Sequence, residues 1–387
     1  MIFNEVVESL PPYPMEELAK IKKQLLDRNQ EVFDFGTGDP RIPTWPKILD
    51  SIRESLPEVS QYPSIRGDAK LTNACWSYLK RRFDIDRSDD FMIIPSNGSK
   101  EAVFHMAACL VGRDKKFGIG YPNPGYPIYR SSTIFAKGNP YPISLDPISS
   151  PLLQPWYLQD KIQKDLAALW INYPHNPTGT IAGEDYFNEL LAWSTKTNTP
   201  ILSDECYTDI YDPVKPPPRA ILQHKHPLTI SFFSLSKRSG LTGYRTGFIF
   251  GHKNLLNPLV RARANFGLGT PTPIQLGAVT AWLDDAHVEK RREIFFQRME
   301  TALPTLKKLG MLDKLPYAGF YLWCNIPKSS KTGDISFSLA LADKGVITSP
   351  SSWLGEGIVD KVRFAMVPEK NDIQKAMKIL EEFVLKR

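Results

Sequence analysis

Apolar positions follow two different rhythms along this 387-residue chain. Near the start, Met15, Leu18, Ile21, Leu25 and Leu26 recur at helical spacing within PMEELAKIKKQLLDR and predict one apolar helix face. The string VFDFGTGDPRIPTWP then reads as a short strand running into a Gly/Pro loop. From residue 45 onward short apolar runs take over: FMII (91–94), FGIG (117–120), ALWI (168–171), ILS (201–203), TISFFS (229–234) and TGFIF (246–250). Longer helical patterns such as SKEAVFHMAACLV separate them. Buried strands alternating with helices predict an α/β core around a mostly parallel sheet. In such sheets ligands bind beyond the carboxyl ends of the strands, on the connecting loops.

After about residue 270 the pattern turns helix-rich, with PIQLGAVTAWLDDAHVEKRREIFFQRMETALPTLKKL as its longest stretch. Two strand-like pieces follow, GFYLWCNI and KVRFAMV, before a closing helix with Ile373, Ala376, Met377, Leu380 and Phe383 on one face. The expected organisation is a large domain over residues 45–268 and a smaller α+β domain made of residues 1–44 and 269–387.

Composition adds limits. Apolar residues at 42% and charged residues at 23% suit a soluble globular protein. The net charge of +6 is spread along the chain, so no nucleic-acid partner is expected and small acidic ligands fit better. Cys75, Cys109, Cys206 and Cys324 lie far apart with no CxxC pair, so reduced buried thiols are expected, with no disulfide framework and no metal site. The opening MIFNEVVESLPPYP lacks the basic and apolar regions of a signal peptide. No window approaches the roughly 18 apolar residues of a membrane span. A cytoplasmic location is the expectation.

Chemistry concentrates around Lys237, in SFFSLSKRSGLTGYRTGFIFG. A lysine closing an apolar strand either snorkels to solvent or is held for a purpose. Ser234, Ser236 and Arg245 bring hydroxyls and a guanidinium to the same neighbourhood, which is what a phosphate dianion requires. An amine beside a phosphate site suggests a Schiff base with a phosphorylated aldehyde, pyridoxal phosphate. Asp204, in LSDECYTDIY, could keep a pyridine nitrogen protonated, and Tyr207 could reach the phenolate oxygen of such a ring. Asn176, in WINYPHNPTGT, offers an amide to the same oxygen. Gly98, Ser99 and Lys100 open a helix whose free amides suit phosphate. Tyr126 sits in a Pro-flanked loop where it could stack on a planar ring. Arg363 lies within an apolar strand and calls for an anion, most naturally a carboxylate. Taken singly, each of these has an ordinary structural reading. Together they converge.

In this order the segments resemble the fold type I pyridoxal-phosphate enzymes, in particular the class I/II aminotransferases, over essentially the full length. Asn176 lies 28 residues before Asp204, Tyr207 three after it, and Ser234 and Arg245 bracket Lys237. The resemblance implies a large domain with a mostly parallel seven-stranded sheet plus a smaller α+β domain. It implies that Lys237 forms the Schiff base and then shuttles a proton, and that Asp204 holds the pyridine nitrogen. Asn176 and Tyr207 hold the phenolate oxygen, Tyr126 stacks on the ring, and Arg363 clamps the substrate α-carboxylate. Gly98, Ser99, Lys100, Ser234 and Arg245 cradle the phosphate. Tyr62, in QYPSIRGDAKL, looks like the tyrosine that reaches the neighbouring subunit's phosphate, which implies a homodimer with shared sites. The turn departs from some members in placing Lys100 where they carry a hydroxyl.

Several strings, among them FGTGDPRIPTWP, DECYTDIYDPVKPPPRAIL and YAGFYLWCNIP, look like bacterial N-succinyldiaminopimelate aminotransferases. The implied substrates are an amino acid and a 2-oxo acid, with glutamate/2-oxoglutarate and N-succinyl-LL-diaminopimelate of lysine biosynthesis as the expected pair. Asn176 and Gly38 are expected at the substrate, and Arg41 at a distal carboxylate. LL-diaminopimelate, aspartate or aromatic aminotransferases share the cofactor residues. A lyase or decarboxylase would differ only around Cα, and a non-catalytic relative would have less reason to keep the whole set.

Overall fold

The computed structural model describes residues 2, 5–8, 14–145, 150–327 and 333–386. The helix Pro14–Asp27 forms as its spacing predicts, burying Leu18 and Leu25 while Leu26 faces solvent. It leads to the two-residue strand β1 (Phe33–Asp34). Seven strands follow: β2 (Phe91–Ser96), β3 (Gly118–Asn123), β4 (Asn139–Ser144), β5 (Leu166–Ile171), β6 (Ile201–Asp204), β7 (Thr229–Ser234) and β8 (Gly247–His252). They form one sheet in the order β2-β8-β7-β6-β5-β3-β4. Strand β8 runs antiparallel to both β2 and β7, and the remaining pairs are parallel. All residues of β3, β5, β6 and β7 are buried, as a sheet covered on both faces demands.

Strand β4, NPYPIS, is the one the apolar runs do not announce. Pro140 and Pro142 lie two residues apart, so both imide nitrogens face the same side, and at a sheet edge that side needs no ladder bond.

Two cores flank this frame. On one face of the sheet, Leu71, Trp76, Tyr78, Phe248, Phe250 and Trp282 pack together; on the other, Val103, Met106, Tyr129, Trp170 and Phe232 do so. The long helical stretch after residue 270 is two helices, Thr272–Leu283 and Ala286–Lys308, divided at Asp284 and Asp285. In the first of these, Ala278, Ala281 and Trp282 bury their apolar surface in the same core as Trp76 and Phe248.

A third core joins both chain ends. Phe33 and Phe35 meet Phe296, Met299, Phe364, Met377 and Leu380. Its strands are β9 (Tyr321–Asn325), β10 (Val346–Ile347), β11 (Ser349–Pro350) and β12 (Lys361–Ala365). Strands β11, β12 and β9 pair antiparallel, and β10 runs parallel to β1. The closing helix Lys370–Leu385 buries the five residues its spacing assigns to one face. Of the four cysteines, Cys75 and Cys324 are buried, whereas Cys109 is exposed. Among the described residues no helix is long and apolar enough to cross a membrane.

Candidate active site

A cavity of about 610 Å³ opens where β5, β6 and β7 end. Each strand delivers chemistry in the residues just past its carboxyl end, as parallel sheets do. Asn172 and Asn176 follow β5, Asp204 closes β6 with Cys206 and Tyr207 after it, and Ser234 and Lys237 come from β7.

Lys237 sits in the short helix Leu235–Arg238, capped by the Ser234 hydroxyl oxygen, which accepts from the Ser236 backbone N–H at 3.2 Å. Its Nζ donates to the Gly38 carbonyl, 199 residues away in sequence, and lies 5.7 Å from the centre of the Phe320 ring. Across the cavity floor Asp204 is 5% exposed. The Tyr129 hydroxyl donates to its Oδ2 at 3.0 Å and the Cys206 backbone N–H to its Oδ1 at 3.3 Å. Burial pushes this carboxyl above the ordinary value, against the pull of those hydrogen bonds and of the Lys237 charge. A protonated ring nitrogen beside it would supply the missing counter-charge.

Asn172 ties the floor together. Its amide donates to the Asp204 carbonyl at 2.7 Å, and its Oδ1 accepts from the Asn176 backbone at 2.9 Å. Arg363, on β12, donates from Nη1 to Asn176 Oδ1 at 3.2 Å. Its Nη2 donates to the Gly36 carbonyl at 3.0 Å and to Ser349 Oγ at 3.2 Å, and the Tyr321 ring lies 4.3 Å from the guanidinium. The Arg363 Nε is buried without a hydrogen-bond partner. Tyr207 and Tyr321 place their hydroxyls 2.9 Å apart. Burial first, then Tyr321, pushes the Tyr207 hydroxyl well above its ordinary value.

The opposite end is built for an anion. Gly98 takes φ +76 ahead of the helix Ser99–Leu110, and no side chain caps that helix. A Cβ at Gly98 would overlap the Arg245 guanidinium. Arg245, itself at φ +50, donates to the carbonyls of Asn97 at 3.1 Å and Thr242 at 2.8 Å. Ser99, Lys100, Ser234 and Ser236 line the same end, and Ser99 Oγ lies 2.9 Å from Cys206 Sγ. Free helix amides, a guanidinium and hydroxyls suit a phosphate dianion. Behind this turn, Glu101 accepts from the Asn97 backbone at 2.8 Å and from Arg263 at 2.9 and 3.0 Å. Burial opposes its ionisation, but the bonds from His105 and Arg263 prevail and hold its carboxyl below the ordinary value.

The cavity therefore gathers Gly38, Ser99, Lys100, Tyr126, Asn176, Asp204, Tyr207, Ser234, Lys237, Arg245 and Arg363. Gly98 stands directly behind its wall. Two expected residues lie elsewhere. Tyr62 is fully exposed, and Arg41, 62% exposed, turns to the Asp34 carboxylate at 3.6 Å. The sequence reading passed over Asn172, Tyr129 and Tyr321. Asn172 and Tyr321 stand in the quoted strings WINYPHNPTGT and GFYLWCNI, but nothing in their spacing marks them.

The chain is also similar to known proteins in sequence and fold. The sequence profile of the family described as aminotransferase class I and II matches residues 30–380. The LL-diaminopimelate aminotransferase of Aquifex aeolicus (strain VF5) is 32% identical over 359 residues, 92% of each chain. An aminotransferase from Neisseria meningitidis Z2491 superposes with a TM-score of 0.88 at 28% identity, over 98% of this chain and 100% of that one. Substrate-bound BacF from Bacillus subtilis shares the fold with a TM-score of 0.93 at 23% identity, over 99% and 98% of the two chains.

Proposed function

We propose that this chain, which belongs to the class I and II aminotransferase family and so uses pyridoxal 5′-phosphate, transfers an amino group between glutamate/2-oxoglutarate and a diaminopimelate skeleton. The observation that carries the reading is the convergence of Lys237, Asp204, Arg363 and the Gly98–Arg245 turn on one cavity. The donor set fits the cofactor: an anion cradle at one end, a buried carboxylate at the floor, and an amine between them. LL-diaminopimelate is the favoured substrate, because the Aquifex relative of that name spans 92% of both chains. The N-succinylated compound is the second reading, favoured by strings such as FGTGDPRIPTWP and YAGFYLWCNIP.

Bound cofactor supplies an aldehyde for the substrate amine and a ring that takes up the electron pair released at Cα. Arg363 holds the substrate α-carboxylate, which fixes the direction of the Cα–H bond. The Lys237 amine would hold the cofactor's aldehyde carbon and, once free, would take up and return the Cα proton at Nζ. Asp204 keeps a positive charge on the ring nitrogen, with its own ionised form supported by Tyr129 and the Cys206 amide. Asn176 and Tyr207 would hold the cofactor's ring oxygen, and Tyr126 would cover its ring. Gly98, Ser99, Lys100, Ser234 and Arg245 hold the phosphate, and Gly38 borders the substrate. The exposed Tyr62 reaches across a homodimer to the neighbouring phosphate. Residues 45–268 carry the cofactor, and the two chain ends carry the carboxylate clamp.

The test mixes loaded protein with single amino donors and follows loss of the cofactor absorbance. Glutamate and LL-diaminopimelate should bleach it fast. Bleaching by the succinylated compound in place of LL-diaminopimelate selects the second reading. Bleaching by aspartate or phenylalanine alone removes the diaminopimelate assignment.

A further inference from the structure

Two hydroxyls 2.9 Å apart share a single hydrogen bond, and only one of them can donate it. Tyr207 and Tyr321 are both buried, at 7% and 4% exposure, and both line the cavity. Their environments differ. The Tyr321 ring lies 4.3 Å from the Arg363 guanidinium and packs 4.6 Å from the Phe320 ring. Its hydroxyl presses on Gly38, where a Cβ would overlap it. A phenol against a cation is the better proton donor of a pair, and this one is held on three sides.

We infer that Tyr321 is a positioning residue: it donates to Tyr207 and so turns the Tyr207 proton toward the cofactor's ring oxygen. The inference rests on the placement of Tyr207 beside that oxygen proposed above. With Tyr321 donating, Tyr207 accepts on one side and its only proton is left for the cavity. The same ring lies against the carboxylate clamp, so one side chain aligns both ends of the reacting centre.

Tyr321→Phe removes the oxygen and keeps the ring on Arg363. The readout is the pH midpoint of the absorbance change of the loaded protein. A donor to the ring oxygen stabilises its anion, so weakening that donor moves the midpoint up. Tyr207→Phe should raise it by about one unit and Tyr321→Phe by roughly half a unit, the scale of one hydrogen bond. In the Tyr207→Phe background, Tyr321→Phe should add nothing. KM for the 2-oxo acid should stay within about twofold, since the ring still covers Arg363. A midpoint that moves with Tyr207→Phe but not with Tyr321→Phe overturns the inference and leaves the Tyr207 role standing. An equal shift in both backgrounds also overturns it, because Tyr321 would then act without Tyr207. No shift in Tyr207→Phe removes both.

Discussion

Replacing Arg363 by lysine keeps the charge and removes the shape. In the wild type, three of the five guanidinium N–H groups go to Asn176 Oδ1, the Gly36 carbonyl and Ser349 Oγ. Two remain, one of them the buried, unpartnered Nε. A lysine ammonium has three donors at the end of a different stem and cannot serve these three partners and a substrate carboxylate. Losing one to two charge-assisted bonds to substrate, at about 1.5–3 kcal/mol each, predicts a total near 3 kcal/mol. At about 1.4 kcal/mol per factor of ten, kcat/KM falls on the order of a hundredfold. The fall should hold for amino donor and 2-oxo acceptor alike, since both carry the carboxylate that Arg363 reads. Single-turnover bleaching with each substrate measures it. A kcat/KM within about threefold of wild type for either substrate would refute the assignment of Arg363.

Glu205 provides a stability test. Burial pushes its carboxyl up to about 8, the Ser203 hydroxyl supports one oxygen at 2.7 Å, and the other oxygen has no partner. The unfolded chain releases this proton near 4.5 and the native protein keeps it to about 8. Stability therefore falls as pH rises through that window, by at most roughly 1.4 kcal/mol per unit. Glu205→Gln should flatten the decline, and thermal unfolding at pH 5 and pH 8 reads the difference; an unchanged slope would place the proton elsewhere. Gly98→Ala, at a positive φ and against Arg245, should weaken cofactor binding roughly tenfold or more by fluorescence titration. An unaltered affinity would separate that turn from the phosphate. Arg41→Ala should leave KM for dicarboxylic substrates within about twofold, because its guanidinium already faces Asp34. A large rise in KM would return Arg41 to the distal carboxylate.

Six of the seven sheet strands were legible because each is a continuous apolar run, the mark of a strand buried on both faces. Strand β4 was not, since an edge tolerates two prolines that a central strand would reject. The division of the long helical stretch was equally hidden: Asp284 and Asp285 look like any polar pair on an exposed turn. In the site, residues that follow strands could be found by their chemistry and position. The contacts that order them could not. Nothing local pairs Gly38 with Lys237 or Tyr321 with Tyr207, because the two chain ends fold together over the sheet. Tyr129 shows the same blindness in another form. A tyrosine in a helix reads as core, and here it is core, yet its hydroxyl supports the Asp204 carboxylate on the cavity floor.

The position of the amine can be fixed covalently. Borohydride reduction of the loaded protein, followed by peptide mass mapping, should find a pyridoxyl phosphate adduct on Lys237, and Lys237→Ala should yield none. An adduct on another lysine, or an undiminished yield from the alanine variant, would contradict the assignment of Lys237 and the chemistry built around it.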